Sequence, residues 1–390
     1  MKRVAIITLF YKNDNYGGIA QALALKYYLE EMGYESDVVS YKKPSKPMFT
    51  TSKGNCLHEI KDKTYKVFPK IRRKLSNGAA SLIYGKKLRA NLLLRKKAFK
   101  HSRNTIEQPE VFTEENISVL NQRYDYFISG SDQIWKPNVI QPAYVCQFVT
   151  SNKKCISYAS SIAVTEYPEG YGAFMSKYLS RYSWISVREK SSQIYLEKIL
   201  KRKVDVVVDP TLLLNVSRWR TLMSRKVVKQ KYIFVYLLGQ NKKQRRIIKK
   251  YARIRNLQIV FLPHVEGKIR GCDIGFGDIN LYDVGISEFL SLIDNAEVIC
   301  TDSFHASVFS IIFSKEFYVF NRESLIKGGD MSSRIVTLLE VAGLSERFLT
   351  EADKLIKNIY DAIDYSSVSN KINILIQKSQ ELLRTALEEN

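Results

Sequence analysis

The sequence predicts an α/β protein made of two successive units, and three observations predict it. Short apolar segments (4–10, 124–129, 154–161, 184–187, 204–208, 232–238, 258–262, 298–301 and 317–320) alternate with helical patterns. That order belongs to parallel sheets whose strands are joined by crossover helices. Several of the segments end in small polar residues immediately before a helix, as strand ends at a ligand-binding edge do. The chain has 390 residues, long for a single core, and a polar, basic stretch at 215–231 divides it.

The first unit opens with a strand over 4–10 and the turn Asn13-Asp14-Asn15-Tyr16-Gly17-Gly18. A helix follows over 19–32, closed by Gly33, and then a strand over 37–40. This is a βαβ unit whose glycines let backbone approach a ligand. A Gly pair without GxGxxG makes no dinucleotide fingerprint. Residues 42–104 form a basic segment with Leu82, Ile83, Leu88, Leu92, Leu93 and Phe99 at roughly helical spacing. It reads either as an amphipathic helix lying on an anionic membrane surface or as a solvated helix covering the domain, with Arg95 and Arg103 among its many basic residues.

Strands over 124–129, 154–161 and 184–187 come next, each entering a Ser-rich turn. A helix over 193–200 precedes the strand 204–208, which Asp209-Pro210 stops. The second unit begins with the strand 232–238, Gly239 and a basic helix over 242–255. Strand 258–262 leads to Pro263-His264, and 271–282 is a Gly/Asp-rich loop. A helix over 288–295 has Ser287 as its cap. Strand 298–301 precedes the helix carrying His305, and strand 317–320 follows. The tail, 372–387, is an amphipathic helix expected to pack back across the first domain. The expected limits are 1–215, 225–350 and 351–390.

Hydrophobic residues make up 45% of the chain and charged residues 26%, an ordinary globular composition, but the net charge is +22. Such an excess favours an anionic partner: phosphorylated or acidic substrates, a lipid surface or nucleic acid. No recognition helix or aromatic RNA-binding motif supports the nucleic-acid class, and it is set aside. Five cysteines show no CxxC pair and no His at ligand spacing. The odd count excludes a full disulfide framework, no metal site is expected, and reduced thiols suit a cytoplasmic protein. Met1-Lys2-Arg3 precedes an apolar run too short for a signal peptide, with Lys12 and Asp14 where a cleavage site would lie. No stretch approaches the ~20 apolar residues of a membrane helix.

The segment Val298 to Ser307 concentrates the chemistry. A buried strand, the cluster Thr301-Asp302-Ser303 and a helix beginning with Phe304-His305 present unpaired backbone N–H groups and a titratable imidazole together. That end of a helix suits a phosphate or carboxylate, and the imidazole can move a proton. The same residues also serve as ordinary caps. Asp132, after its Gly/Ser turn, either contacts hydroxyls as a base or caps the next helix. His264 ends another strand on the same edge and reads as an anion contact or a plain loop histidine.

Several motifs in this order resemble the polysaccharide pyruvyl transferases. They are Asn15-Tyr16-Gly17-Gly18, Ser129-Gly130-Ser131-Asp132-Gln133-Ile134-Trp135, Ser157-Tyr158-Ala159-Ser160-Ser161, Ile185-Ser186-Val187-Arg188-Glu189-Lys190-Ser191, Asp209-Pro210-Thr211-Leu212 and Thr301-Asp302-Ser303-Phe304-His305-Ala306. The resemblance spans roughly residues 1–345. It implies two Rossmann-like domains facing a cleft, like the GT-B glycosyltransferases, and transfer of a pyruvate ketal from phosphoenolpyruvate. The acceptor it implies is a sugar of a surface polysaccharide (capsule or exopolysaccharide) or of its lipid-linked precursor, at the cytoplasmic face of the membrane. No cofactor or metal is implied.

On this resemblance His305 is the general acid/base, with Arg188 and Asp132 as its catalytic partners. Ser303, Phe304, Arg188, Arg334 and His264 take the donor, and Asn15, Gly17, Gly18 and Ser160 shape the acceptor side. One position departs: the family commonly carries an Arg two residues before the helix histidine, where this chain has Ser303. Arg188 or Arg334 supplies another cation, or the departure marks a different donor, which makes a nucleotide-sugar glycosyltransferase the alternative.

Overall fold

The computed structural model describes residues 1–50, 90–106, 108–164, 166–264, 270–322, 333–357 and 362–389. Two six-stranded sheets organise these residues. The first contains β1 (Arg3–Ile7), β2 (Glu35–Val38), β3 (Tyr126–Ser129), β4 (Lys154–Ser160), β5 (Trp184–Val187) and β6 (Asp205–Val206), in the order β2-β1-β3-β4-β5-β6. The second contains β7 (Tyr232–Tyr236), β8 (Gln258–Phe261), β9 (Ile279–Asn280), β10 (Val298–Thr301), β11 (Glu316–Phe320) and β12 (Phe348–Leu349), in the order β12-β11-β10-β7-β8-β9. Every pairing is parallel, Val4 facing Tyr126 and Val298 facing Ile233. Helices cover both faces of each sheet, so central strands are apolar without alternation: Val4, Ala5, Ile6 and Ile7 are all fully buried.

In the first unit lie α1 (Tyr16–Glu31), α2 (90–104), α3 (Leu120–Arg123), α4 (Tyr171–Leu179), α5 (Lys190–Leu200) and α6 (Val216–Thr221). The second holds α7 (Lys242–Ile254), α8 (Ile286–Asp294), α9 (Phe304–Ile312), α10 (Ser333–Ala342) and α11 (Lys354–Lys357), and α12 (Tyr365–Glu388) closes the chain. In the first sheet the chain leaves β1 for β2 on one side and β3 on the other. In the second it leaves β7 for β8 and β10 in the same way. At such a switch point the helices on opposite faces part beyond the strands' carboxyl ends, and ligands bind there. Asp302 ties the second switch point together, its two carboxylate oxygens accepting from Leu238 N and Gly239 N at 2.6 Å each.

The two sheets share one apolar core through α1, α8 and α9. Tyr16 stacks on Phe289 with ring centroids 4.4 Å apart, and its hydroxyl donates to Val284 O at 2.9 Å. The last helix crosses back to the first sheet: Ser379 Oγ accepts from Val208 N at 3.0 Å, and Gln380 Nε2 donates to Leu213 O at 3.4 Å. It is longer than the periodicity alone indicates, because Asp364 caps it by accepting from Ser366 N and Ser367 N.

Several expectations need correction. Ser287 is not the cap of α8; Gly285 holds that place, and the Glu288 carboxylate accepts from Gly285 N at 2.9 Å. The loop 271–282 contains β9, and α4 and α10 lie outside the elements read from the sequence. Arg95 and Arg103 do not face outward: both are buried, because α2 wedges between the units. Arg95 donates to backbone carbonyls of the second unit, and Arg103 pairs with Asp14. The expected membrane-surface helix falls mostly on 51–89, outside the described residues. No helix among the described residues is long and apolar enough to cross a membrane.

Candidate active site

Two helix N-termini, one from each unit, meet at His305. In α9 the N-cap is Ser303, extended at φ −103°, with its backbone N–H bonded to Thr301 Oγ1 at 3.0 Å and no capping bond from its own side chain. His305 therefore lies in the first turn. Its imidazole rests on Gly17 of α1, so closely that a Cβ at that position would fall 1.9 Å from Nδ1. Only glycine permits this approach. Asn15 caps α1, its side-chain oxygen accepting from Gly17 N at 2.9 Å and Gly18 N at 3.2 Å.

On its other side the imidazole faces Asp209, with Nε2 3.6 Å from Oδ2. That separation is ionic rather than hydrogen-bonding, and Nε2 is a buried nitrogen with no hydrogen-bond partner. The same Oδ2 accepts from Arg188 Nη1 at 2.6 Å. Arg188 follows β5, and its Nε and Nη2 are buried without hydrogen-bond partners as well. Nε lies 3.6 Å from Glu189 and Nη2 3.9 Å from Asp132. The Asp209 Oδ1 is committed to its own turn, accepting from Thr211 N and Oγ1. Burial alone would raise the Asp209 carboxyl, but His305 and Arg188 outweigh it and hold the group well below the usual carboxylate range. Burial likewise opposes the charge on Arg188, and Asp209, Glu189 and Asp132 together raise its pKa above the ordinary value.

Phe304 lies between two cations, its ring centroid 4.9 Å from the Arg188 guanidinium carbon and 5.8 Å from that of Arg334. Arg334 Nε stands 4.0 Å from Glu189, and the Gln133 amide, oxygen turned toward it, accepts from Nη2 at 2.6 Å. Burial, with Arg188 as a neighbouring cation, pushes the Arg334 guanidinium down to about 10. A cavity of about 240 Å³ opens beside this cluster, bounded by Arg188, Asp209, Phe304 and Arg334 and walled by Ile372 and Leu375 of α12. Chemically, the cluster offers buried N–H donors from both units to a small anion, with an imidazole among them.

The structure thus brings together His305, Arg188, Asp132, Phe304, Arg334 and Gly17, with Ser303 at the helix start. It does not bring His264 to them. That residue lines a second cavity of about 260 Å³ with Asn15, Tyr16, Arg95, Arg270 and Arg322. Ser160 is fully buried, and its hydroxyl donates to Ser129 O at 3.0 Å, so it braces the sheet. Gly18 faces the Asn13 side chain rather than His305. Asp209 is the site residue least legible in the sequence: the Asp-Pro-Thr turn is visible there, but not the second oxygen's link to His305 and Arg188. No group of His, Cys, Asp and Glu able to hold a metal occurs among the described residues.

Two Rossmann-like domains enclosing a cleft, with this cluster where their strand ends meet, define a GT-B-like architecture. Residues 15–324 match the family described as polysaccharide pyruvyl transferase, and the chain belongs to that family. Among solved structures it resembles a putative UDP-N-acetylglucosamine 2-epimerase from Listeria monocytogenes (9% identity, 100% of this chain and 98% of that one, TM-score 0.51). It is also similar to a UDP-GlcNAc 2-epimerase from Methanocaldococcus jannaschii (13% identity, 100% of each chain, TM-score 0.48). An alpha-glucosyltransferase in complex with UDP matches at 9% identity over 99% of this chain and 95% of that one, with TM-score 0.49. No curated protein matches the chain.

Proposed function

We propose that this protein transfers a pyruvyl group from phosphoenolpyruvate onto two hydroxyls of a sugar, forming a ketal and releasing inorganic phosphate. One observation carries the reading: Arg188 Nε and Nη2 are buried donors without hydrogen-bond acceptors, and His305 Nε2 is a buried ring nitrogen without a hydrogen-bond partner, gathered around Asp209 in a member of this family. Buried donors in that state favour an oxyanion as partner. Arg188 holds the donor's carboxylate or phosphate, with Arg334 and the start of α9 adding positive potential.

A proton delivered to the methylene carbon makes the adjacent carbon electrophilic. One sugar hydroxyl then attacks that carbon, the second displaces phosphate, and both hydroxyl protons leave to bases. His305 is assigned the proton transfers, Asp209 holds its imidazole in place, and Asp132 is the further base on the cleft side. Arg188 and Arg334 stand in for the arginine absent at Ser303.

Incubation with phosphoenolpyruvate and candidate saccharides tests the reading through phosphate release and a ketal-sized mass gain on the sugar. The His305→Ala variant is expected to lose at least about a hundredfold in turnover, and Arg188→Lys to raise the KM for phosphoenolpyruvate. Full activity in both variants removes the assignment. Turnover of a nucleotide sugar with phosphoenolpyruvate inert replaces it with glycosyl transfer.

A further inference from the structure

The second cavity lies in the same cleft, on the far side of the start of α1. Three guanidinium groups from separate elements line it: Arg95 of α2, Arg270 ahead of β9, and Arg322 after β11. Arg95 is only 2% exposed, yet its bonds go to backbone carbonyls: Tyr282 O and Leu281 O at 2.7 Å and Pro263 O at 3.4 Å. Arg270 donates to the carbonyls of Leu238 and Gly239. Carbonyls orient a guanidinium but do not neutralise it, and burial pushes the Arg270 pKa down, outweighing Asp273 and Asp302, which act on it through space.

Arg322 donates to Asp302 O at 2.7 Å and approaches Asp302 Oδ1 at 3.6 Å, while its Nε is buried without a partner. The Asp302 carboxylate already accepts two backbone N–H groups. The one carboxylate in the lining among the described residues, Asp14, is paired with Arg103. Among the described residues, the cavity therefore holds more positive charge than its carboxylates balance. Converging guanidinium forks are the geometry that phosphate oxygens fit best.

We propose that Arg95, Arg270 and Arg322 form a second anion site, which holds the diphosphate of a sugar diphosphate acceptor. Three cations suit the charge of a diphosphate better than that of a single carboxylate. Position links the two sites. Tyr16 borders this cavity, and Gly17, one residue on (about 3.8 Å between α-carbons), carries the His305 imidazole. A sugar whose diphosphate is seated among the three arginines extends its ring toward His305. This assignment rests on the proposed ketal transfer for the direction of the sugar, but the anion site does not depend on it. Two sources present the same diphosphate: a nucleoside diphosphate and a prenyl diphosphate carrier.

The test is calorimetric titration of the full-length protein with inorganic pyrophosphate. Binding is expected, and Arg270→Gln and Arg322→Gln should each weaken it about tenfold or more, the loss of one charge-assisted bond. Phosphoenolpyruvate affinity should stay within about twofold of wild type. Competition by UDP and by geranyl diphosphate then identifies the source, whichever displaces pyrophosphate at the lower concentration. Pyrophosphate binding without phosphoenolpyruvate turnover retains the site and removes the ketal reading. Absence of pyrophosphate binding, or wild-type binding in both folded variants, overturns the proposal. So does an unlinked sugar that serves as acceptor as well as its diphosphate does.

Discussion

Asp209 decides how the site is held at the level of single residues. One of its oxygens closes a turn through Thr211, and the other lies 2.6 Å from Arg188 and 3.6 Å from His305, in a side chain with no exposed surface. Removing its charge leaves Arg188 buried against Glu189 and Asp132 at longer range, and breaking a buried pair costs about 3 kcal/mol or more. Asp209→Asn is therefore expected to lower the thermal midpoint at pH 7. The pH dependence has a definite sign. The carboxyl is depressed in the fold, so its contribution is complete above its ordinary value of 3.8 and is lost as the pH falls below that. The gap between wild type and Asp209→Asn should narrow as the pH drops beneath about 4. A gap of constant size from pH 7 down to acid unfolding would mean that Asp209 is not held ionised by these partners.

At the scale of elements, the site depends on how closely α1 and α9 approach end to end. The Gly17→Ala variant puts a methyl group 1.9 Å from His305 Nδ1, so either the imidazole or the helix must shift. A displacement of about 1 Å at a reacting group costs on the order of a hundredfold in rate. Gly17→Ala is thus expected to lose about that much turnover with an unchanged far-ultraviolet spectrum. Gly18→Ala, whose methyl meets the Asn13 side chain, serves as the control and should stay within a few fold. Equal activity in the two variants would show that the imidazole is not positioned through this contact.

The same elements show what sequence carries and what it does not. Buried parallel strands announce themselves as apolar runs, and His305 at a helix start follows from strand, small polar turn and helix. In α4, Tyr171, Met175 and Leu179 form a buried stripe at four-residue spacing, but Gly170 begins it without a capping side chain, so no start signal marks it. The partners of Asp209 Oδ2 and the burial of Arg95 are set by contacts distant in sequence. Arg95 reaches Tyr282 across the interface between the units, and a basic run read locally looks like surface.

For the molecule as a whole, the cleft is the surface that both units complete, and its contents bear on the stability of both. Arg188 and Asp209 belong to the first unit, and Ser303, Phe304 and His305 to the second. The apolar core is continuous between them through Tyr16 and Phe289, and α12 reaches back to Val208. Unfolding is therefore expected to be one cooperative transition, and a ligand of the cleft should move all of it. Under the proposed function, phosphoenolpyruvate at about a hundred times its Kd is expected to contribute about 2.7 kcal/mol. With an unfolding entropy of about 2.1 cal/mol/K per residue over a chain this long, that shifts the midpoint upward by about 3 °C. Differential scanning calorimetry with and without phosphoenolpyruvate measures the shift, and Arg188→Lys should reduce it. Two separate transitions, with phosphoenolpyruvate raising only one, would mean that the units hold the donor independently and that the convergence of Arg188 and His305 on Asp209 is not the binding site. A shift produced by a nucleotide sugar while phosphoenolpyruvate leaves the midpoint unmoved would instead assign this cleft to glycosyl transfer.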